Sequence, residues 1–302
     1  MGFEGVVLDQ QRLETILAEA QAVDRSSLPF SVHLYETLPS TNQKLWNLLD
    51  AGAKPGTVVI ANQQTAGRGQ WGRQWSSPIG GLYLSVAISP NLPAQQSYQL
   101  TLFSAWGIAT ALRERGIPVC LKWPNDLILY GRQGVEGTSD VINPAVARRD
   151  ALITSQLPHE RKLGGILTET KVQQGRITKA VVGVGINWAN PVPESGINLQ
   201  SLPEIQLEGT IASLEMLTAI TLSGIASGNQ RSLAGIDALL PDYEKLLINI
   251  GRSVCVDGRS GIIVGVTSTG DLRVRLCSMI DVNSVAAPEI YLKPGTISLG
   301  YI

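Results

Sequence analysis

The chain has 302 residues, 44% of them hydrophobic and 16% charged, which is enough to bury a large core and predicts one large domain with a small second one. A formal net charge of −1 argues against general binding to nucleic acid, and three cysteines far apart in the chain exclude a Cys-x-x-Cys motif and argue against a disulfide framework. No apolar run approaches the length of a membrane helix and the amino terminus lacks a signal-peptide pattern, so we expect a cytoplasmic protein without membrane contact.

The first hundred residues are predicted to alternate between helices and strands. Residues 8–24 carry apolar side chains at helical spacing, and residues 32–37 form a strand. Ser40 and Gln43 have the spacing of a capping box, which begins a helix that ends at Gly52. Apolar strands follow at 57–61 and 81–88, and a long helix at 96–115.

The loop between those two strands, residues 64–75, holds three glycines, two arginines and two tryptophans. Its Gly67-x-Gly69-x-x-Gly72 spacing matches the dinucleotide fingerprint, but Pro78 and a glycine pair follow where that fingerprint needs a helix. Glycines allow close backbone approach, arginines bind carboxylate or phosphate, and tryptophans stack. We therefore interpret residues 64–75 as an anion-binding lid loop, although a solvated glycine-rich hairpin would fit the loop taken alone.

The rest of the chain is predicted to add strands to the sheet, then two helices, and to end in a β-rich segment. Strands at 119–122 and 127–130 flank a Trp-Pro-Asn-Asp turn, residues 131–160 form an aperiodic surface insertion, and 162–170 pairs with 180–188 across a turn at Gly175. Helices at 210–226 and 232–249 follow. Short β-rich runs at 252–256, 261–267, 272–276 and 289–299 predict a small five-stranded barrel. The predicted division is a helical extension at 1–30, a main domain at 31–250 and a small domain at 251–302.

Five motifs occur in a characteristic order: Ser40-Thr-Asn42, Gln64-x-x-Gly-Arg-Gly69, Lys122-Trp-Pro-Asn-Asp126, Lys162-Leu-Gly-Gly-Ile-Leu167 and Gly183-x-Gly-Ile-Asn187. This order and spacing, from residue 32 to about 300, resembles the biotin protein ligases. The resemblance implies an α+β fold, with a mixed, mainly antiparallel sheet flanked by helices in a class II synthetase-like catalytic domain, and a small carboxy-terminal SH3-like β-barrel.

The resemblance also implies an activity in two steps. Biotin and ATP, with Mg²⁺, would give biotinyl-5'-AMP and pyrophosphate. A lysine on a biotin carboxyl carrier domain of a carboxylase would then attack the mixed anhydride. Family members occur as monomers and as homodimers, and the sequence does not distinguish these states.

The family's site residues carry over to matching positions here. The resemblance places Arg68 near the ligand carboxyl and phosphate, Arg73 near the polyphosphate, and Lys162 between the carboxyl oxygen and the α-phosphate; Lys162 and Arg68 are the predicted catalytic residues. Such cations offset the repulsion of two anions, on the order of 4 kcal/mol at about 4 Å and an effective dielectric near 20. The alternative role for Lys162 is that of an edge-strand charge that prevents aggregation.

The remaining predicted contacts divide between biotin and the adenylate. Hydroxyls and amides can satisfy the ureido ring, and apolar or glycine-rich strands can enclose the valeryl chain. The predicted biotin-binding residues are Ser40, Thr41, Asn42, Gln64, Gly67, Arg68, Gly69, Gln70, Lys162, Gly164 and Gly165. The predicted ATP and adenylate contacts are Arg68, Arg73, Trp75, Asn125, Lys162 and Asn187, with Asp126 as a Mg²⁺ ligand. Taken alone, Ser40 could be only a helix cap and Asp126 only a turn former.

Two departures and two alternatives accompany this hypothesis. Gln70 stands where the family commonly has a further arginine, and the insertion 131–160 is longer than usual. A lipoate or octanoate ligase or transferase of the same fold is the alternative enzyme. A DNA-binding repressor is disfavoured because only about thirty residues, which are not basic, precede the first core strand.

Overall fold

A computed structural model describes residues 7–23, 29–129, 160–202, 211–277 and 288–297. Its helices are α1 Gln10–Val23, α2 Thr41–Asp50, α3 Ser97–Glu114, α4 Leu214–Arg231 and α5 Ile236–Leu246. The strands of the main sheet are β1 Ser31–Leu38, β2 Thr57–Gln64, β3 Gly81–Ile88, β4 Val119–Lys122, β5 Asp126–Leu129, β6 Arg161–Gln173 and β7 Arg176–Asn187. Apart from Glu160, the predicted insertion 131–160 lies outside the described residues.

The seven strands form one sheet in the order β1-β2-β3-β7-β6-β5-β4. β1 and β2 run parallel and every other neighbouring pair is antiparallel, which confirms the predicted mixed, mainly antiparallel sheet. β6 and β7 form the longest hairpin, and its turn contains Gly175 at φ +75°, a left-handed conformation that favours glycine. This hairpin carries two of the five sequence motifs into the middle of the sheet.

Helices cover both faces of the sheet. α2 packs on one face, where its apolar side chains meet Val59, Ala61 and Val181. α3 and α4 cover the other face. They can approach closely because Gly107 has no side chain: a Cβ there would lie 2.0 Å from the Gly224 carbonyl oxygen. α1 joins that larger core through the fully buried Leu13. Among the described helices, none is long and apolar enough to cross a membrane.

The carboxy-terminal strands are β8 Ser253–Val256, β9 Arg259–Val266, β10 Leu272–Leu276 and β11 Glu289–Leu292, and they form one antiparallel sheet in the order β11-β10-β9-β8. The last strand ends at Leu292, short of the predicted 299, and the described residues contain no fifth strand of this sheet. The Gln99 amide donates to the Ser268 carbonyl at 2.9 Å and the Trp123 indole donates to the Gly270 carbonyl at 2.9 Å. These bonds hold the small sheet against the main one, beside the predicted site.

Candidate active site

The five motifs surround one cavity of about 420 Å³. Its walls come from the start of α2, the lid loop, the turn between β4 and β5, the β6–β7 hairpin and residues 295–297. Motifs separated by more than a hundred residues therefore meet because the strand order places β6 and β7 next to β3 and β5. Residues 295–297 were not among the predicted site residues.

One part of the wall is a buried polar network formed by Ser40, Thr41, Asn42 and Gln64. Ser40 caps α2 by accepting from the Gln43 amide, and the Thr41 amide donates to the Gln64 Oε1 at 2.9 Å. The sequence analysis missed Ser85, whose Oγ lies 2.8 Å from the Thr41 Oγ1 and 2.6 Å from the Asn42 Oδ1. Its signal was a serine in the middle of an apolar strand.

The glycines of the Gly183-x-Gly185 motif make room for two side chains of the site. A Cβ at Gly183 would lie 2.2 Å from the Asn42 Oδ1, and a Cβ at Gly185 would lie 2.4 Å from the Trp75 Nε1. Both glycines are on the same face of β7 because their positions differ by two. The Trp75 Nε1 is buried against Gly185 and has no hydrogen-bond partner among the described residues.

Arg68, at the cavity wall, is held by Glu169. The Arg68 Nη2 lies 2.9 Å from the Glu169 Oε1 and 3.0 Å from Oε2. Glu169 Oε2 also accepts from the Asn42 amide at 2.8 Å and the Trp46 indole at 3.2 Å. The sequence analysis did not select Glu169, although an acidic residue within a half-buried strand was a usable signal.

Lys162, also at the wall, is paired with Asp126. Its Nζ lies 2.6 Å from the Asp126 Oδ1 and 5.2 Å from the centre of the Trp75 ring. The β5–β6 register places Asp126 opposite Gly165, where a Cβ would lie 3.7 Å from the Lys162 Nζ. Asp126 is therefore more than a turn former. Asn125 also lines the cavity, and its amide donates to the Ile166 carbonyl at 2.7 Å.

A buried ion cluster reaches this wall through Lys122, and the sequence analysis did not predict it. The Lys122 Nζ lies 2.7 Å from the Glu160 Oε1, and the Arg252 Nη1 lies 3.0 Å from Oε2. The side chains of Lys122 and Glu160 are 3% and 1% exposed. Burial lowers the pKa of Lys122, and the nearby Glu160 carboxylate opposes that shift.

The lid loop is a narrow hairpin in which the Trp75 amide donates to the Gly67 carbonyl at 2.9 Å and the Gly69 amide donates to the Arg73 carbonyl at 2.7 Å. The helix that a dinucleotide fingerprint requires is therefore not formed. Gly69, Gln70 and Arg73 line the cavity. Trp71 is 58% exposed at φ +59°, and its indole packs on the turn at Gly295.

Three predicted site residues do not line the cavity and have other contacts. A Cβ at Gly67 would lie 2.4 Å from the Trp75 carbonyl oxygen, and one at Gly164 would lie 2.6 Å from the Gly185 carbonyl oxygen. These two glycines allow close backbone packing beside the site. The Asn187 amide donates to the Lys162 carbonyl at 3.3 Å and its Oδ1 accepts from Asn190. Asn187 therefore supports the strand that carries Lys162.

Known proteins resemble this chain in sequence and in fold. A bifunctional ligase/repressor BirA of Bacillus subtilis is 32% identical over 155 residues, 51% of this chain and 39% of that protein. A biotin–[acetyl-CoA-carboxylase] ligase of Mycobacterium tuberculosis is 32% identical over 170 residues, 51% of this chain and 64% of that protein. The chain thus spans less than two thirds of the length of either relative.

A solved structure, the biotin protein ligase from Aquifex aeolicus in complex with biotin and ATP, has a TM-score of 0.57 and 23% identity, covering 82% of this chain and 92% of that one. At this identity the likeness establishes the fold. The biotin/lipoate A/B protein ligase family matches residues 34–187, which is just over half of the sequence. That stretch contains all five motifs and most of the cavity wall. The chain therefore belongs to the biotin/lipoate A/B protein ligase family.

Proposed function

We propose that the protein is an ATP-dependent biotin protein ligase. The observation that carries the proposal is a single cavity in which Arg68 and Lys162 lie at the wall together with the neutral polar network of Ser40, Thr41, Asn42 and Gln64. Biotin has the matching chemistry, because one end is a carboxylate and the other is a ureido ring that donates and accepts hydrogen bonds. The names of the related ligases support the same substrate.

In the first step, an oxygen of the biotin carboxylate attacks the α-phosphorus of ATP, and the bond to the β-phosphate breaks to release pyrophosphate. Lys162 and Arg68 stabilise the negative charge that develops around the α-phosphate, an effect often worth a few kcal/mol. Lys162 is the principal catalytic residue and Asp126 orients its ammonium group. The wall around the biotin acyl chain includes Gly69, Gln70 and Gly165. This wall is supported by the close backbone packing at Gly67 and Gly164.

In the second step, the amine of a lysine on a carrier domain attacks the acyl carbon of biotinyl-5'-AMP. An amide bond forms, AMP leaves and the amine loses a proton. The carrier domain of a biotin-dependent carboxylase is the proposed acceptor, supported by the name of the mycobacterial relative. The protein works as a monomer or a homodimer.

Adenylate recognition would use Trp75, Arg73 and Asn125, with Asn187 in a supporting position. The position of Trp75, Arg73 and Asn125 at the cavity wall supports this role. The described residues hold no group of three acidic, histidine or cysteine ligands, and Asp126 is engaged by Lys162. The site therefore does not fit a resident Mg²⁺, and the ion would enter as part of the ATP substrate with most of its ligands from phosphates and water.

We infer further that residues 251–302 form a separate SH3-like barrel and that residues 1–30 are an extension of the main domain 31–250. Four consecutive short strands in one antiparallel sheet support the barrel. The packing of Leu13 into the main core supports the close association of the extension.

The decisive experiment measures pyrophosphate release with ATP and Mg²⁺ in the presence of biotin, lipoate or octanoate. We expect pyrophosphate release with biotin and none with lipoate or octanoate. Lipoate and octanoate are the alternative substrates because the family includes lipoate ligases. Release with lipoate and none with biotin would replace the proposal by that alternative.

A further inference from the structure

The carboxylate of Glu169 accepts hydrogen bonds from both the lid loop and α2. It accepts from Arg68 at 2.9 and 3.0 Å, from Asn42 at 2.8 Å and from Trp46 at 3.2 Å. Its side chain is 27% exposed, so water competes only partly for these bonds. Arg68 belongs to the lid loop, and Asn42 and Trp46 belong to α2, so one carboxylate of β6 contacts both elements.

These bonds fix the orientation of two proposed ligand contacts. The Asn42 amide nitrogen donates to Glu169 and, at 3.4 Å, to the Leu167 carbonyl, while its Oδ1 faces the Ser85 hydroxyl at 2.6 Å. The side-chain amide is therefore held at both ends, and the second lone pair of Oδ1 remains for a ligand. Arg68 contacts Glu169 through Nη2, and a guanidinium has five N–H donors. Its remaining donors can therefore bind an anion in the cavity while Glu169 holds the group at the wall.

We propose that Glu169 is a positioning residue for biotin binding: it orients Arg68 towards the ligand carboxylate and Asn42 towards the ureido ring without touching the ligand. This inference rests on the proposed function. Glu169 is not needed merely to join α2 to β6, because the Lys171–Asp50 ion pair also joins these two elements. That pair does not include the lid loop, and so provides a matched control.

The test compares Glu169→Gln, Glu169→Ala and the control Asp50→Asn. Biotin affinity is measured by calorimetry on the protein alone, and KM for biotin and for ATP by pyrophosphate release. Gln keeps the shape and an acceptor for Asn42 and Trp46 but loses the charge that holds Arg68, so we expect biotin affinity to fall about threefold to fivefold. Ala removes the acceptor from all three donors, and the loss should reach about tenfold or more.

The pattern across substrates separates positioning from stability. We expect KM for biotin to rise in both Glu169 variants and KM for ATP to rise less, because Arg68 serves both substrates whereas Asn42 serves biotin alone. We expect Asp50→Asn to leave biotin affinity within about twofold of the parent. Unchanged or tighter biotin binding in Glu169→Gln would overturn the inference, as would equal effects on both substrates or an equal loss in Asp50→Asn. If Glu169→Ala does not fold, the isosteric Gln variant decides. Failure of the parent protein to bind biotin would instead reject the proposed function.

Discussion

The buried carboxylate of Glu160 makes the sharpest stability prediction. Glu160→Gln keeps the shape of the side chain but removes a negative charge that both Lys122 and Arg252 contact. The Lys122 ammonium is 3% exposed, so water cannot replace the lost charge. Breaking a buried ion pair by removing one partner costs about 3–5 kcal/mol. Because Gln retains an oxygen acceptor and Arg252 is 23% exposed, we expect the lower end, about 3 kcal/mol at neutral pH.

The same variant should show a characteristic pH dependence. Burial lowers the pKa of Lys122 below its ordinary value of 10.5, and Glu160 raises it. Between the lowered folded pKa and 10.5, the unfolded chain binds more protons than the folded chain, so stability rises with pH in that window. Removing Glu160 lowers the folded pKa further and extends the window towards neutral pH. The stability deficit of Glu160→Gln should therefore shrink between about pH 7 and about pH 9.5.

Urea unfolding of both proteins at the two pH values measures this effect. The control is Glu289→Gln, because Glu289 also bridges two cations, Arg273 and Arg275, but water reaches this cluster: Glu289 is 21% exposed against 1% for Glu160, and its two partners are 37% and 43% exposed. Surface pairs contribute about 0–1 kcal/mol, so the control should lose less than about 1 kcal/mol. Equal losses in the two variants, or a deficit for Glu160→Gln that grows as the pH rises, would refute the reasoning.

Three further predictions concern the cavity. Lys162→Ala should fold normally, judged by its thermal transition, yet lose about a hundredfold or more of pyrophosphate release, since a preorganised charge is removed; near-normal release would remove the role assigned to it. Gly183→Ala places a Cβ 2.2 Å from the Asn42 Oδ1 and should weaken biotin binding in calorimetry by about tenfold, whereas Gly175→Ala, at an open turn, should leave it unchanged. Biotin should protect residues 64–75 from limited proteolysis, and equal cleavage rates with and without biotin would contradict a lid.

The sequence predicted most elements because local patterns determine them. The apolar run 81–88 coincides with β3, since a glycine pair and a proline bound it. β2 and β6 extend beyond their predicted ends, to Gln64 and Gln173. Their last residues are polar or exposed and carry no apolar alternation. They are strand because they pair with neighbouring strands: Gln64 pairs with Leu38 of β1, far away in the chain, and Gln173 pairs with Arg176 of β7 across the hairpin turn.

The residues of the site also divide into those that a local sequence pattern identifies and those that depend on contacts between distant parts of the chain. Motif residues such as Lys162 and Arg68 could be selected because a short local pattern contains them. Glu169 and Ser85 had only the signal of a polar residue in a strand, which does not name their partners, and Glu160 stood in an aperiodic segment. Their contacts are far away in the chain: Glu169 contacts Asn42 across 127 positions and Glu160 contacts Arg252 across 92. Such contacts depend on the order and register of strands, which one local pattern does not encode.

The carboxylates at the wall also explain how the proposed anion-binding cavity remains stable when no anion is bound. Each proposed catalytic cation already has an acid: Arg68 has Glu169 and Lys162 has Asp126. Partly buried cations without partners would repel each other and lose hydration, which destabilises the fold. An acid that contacts part of a guanidinium or one face of an ammonium removes most of that penalty and leaves other N–H groups for the ligand. The same wall can therefore be stable without a ligand and still bind an anion. The acids hold the cations in their orientation, so the ligand does not have to bring them together.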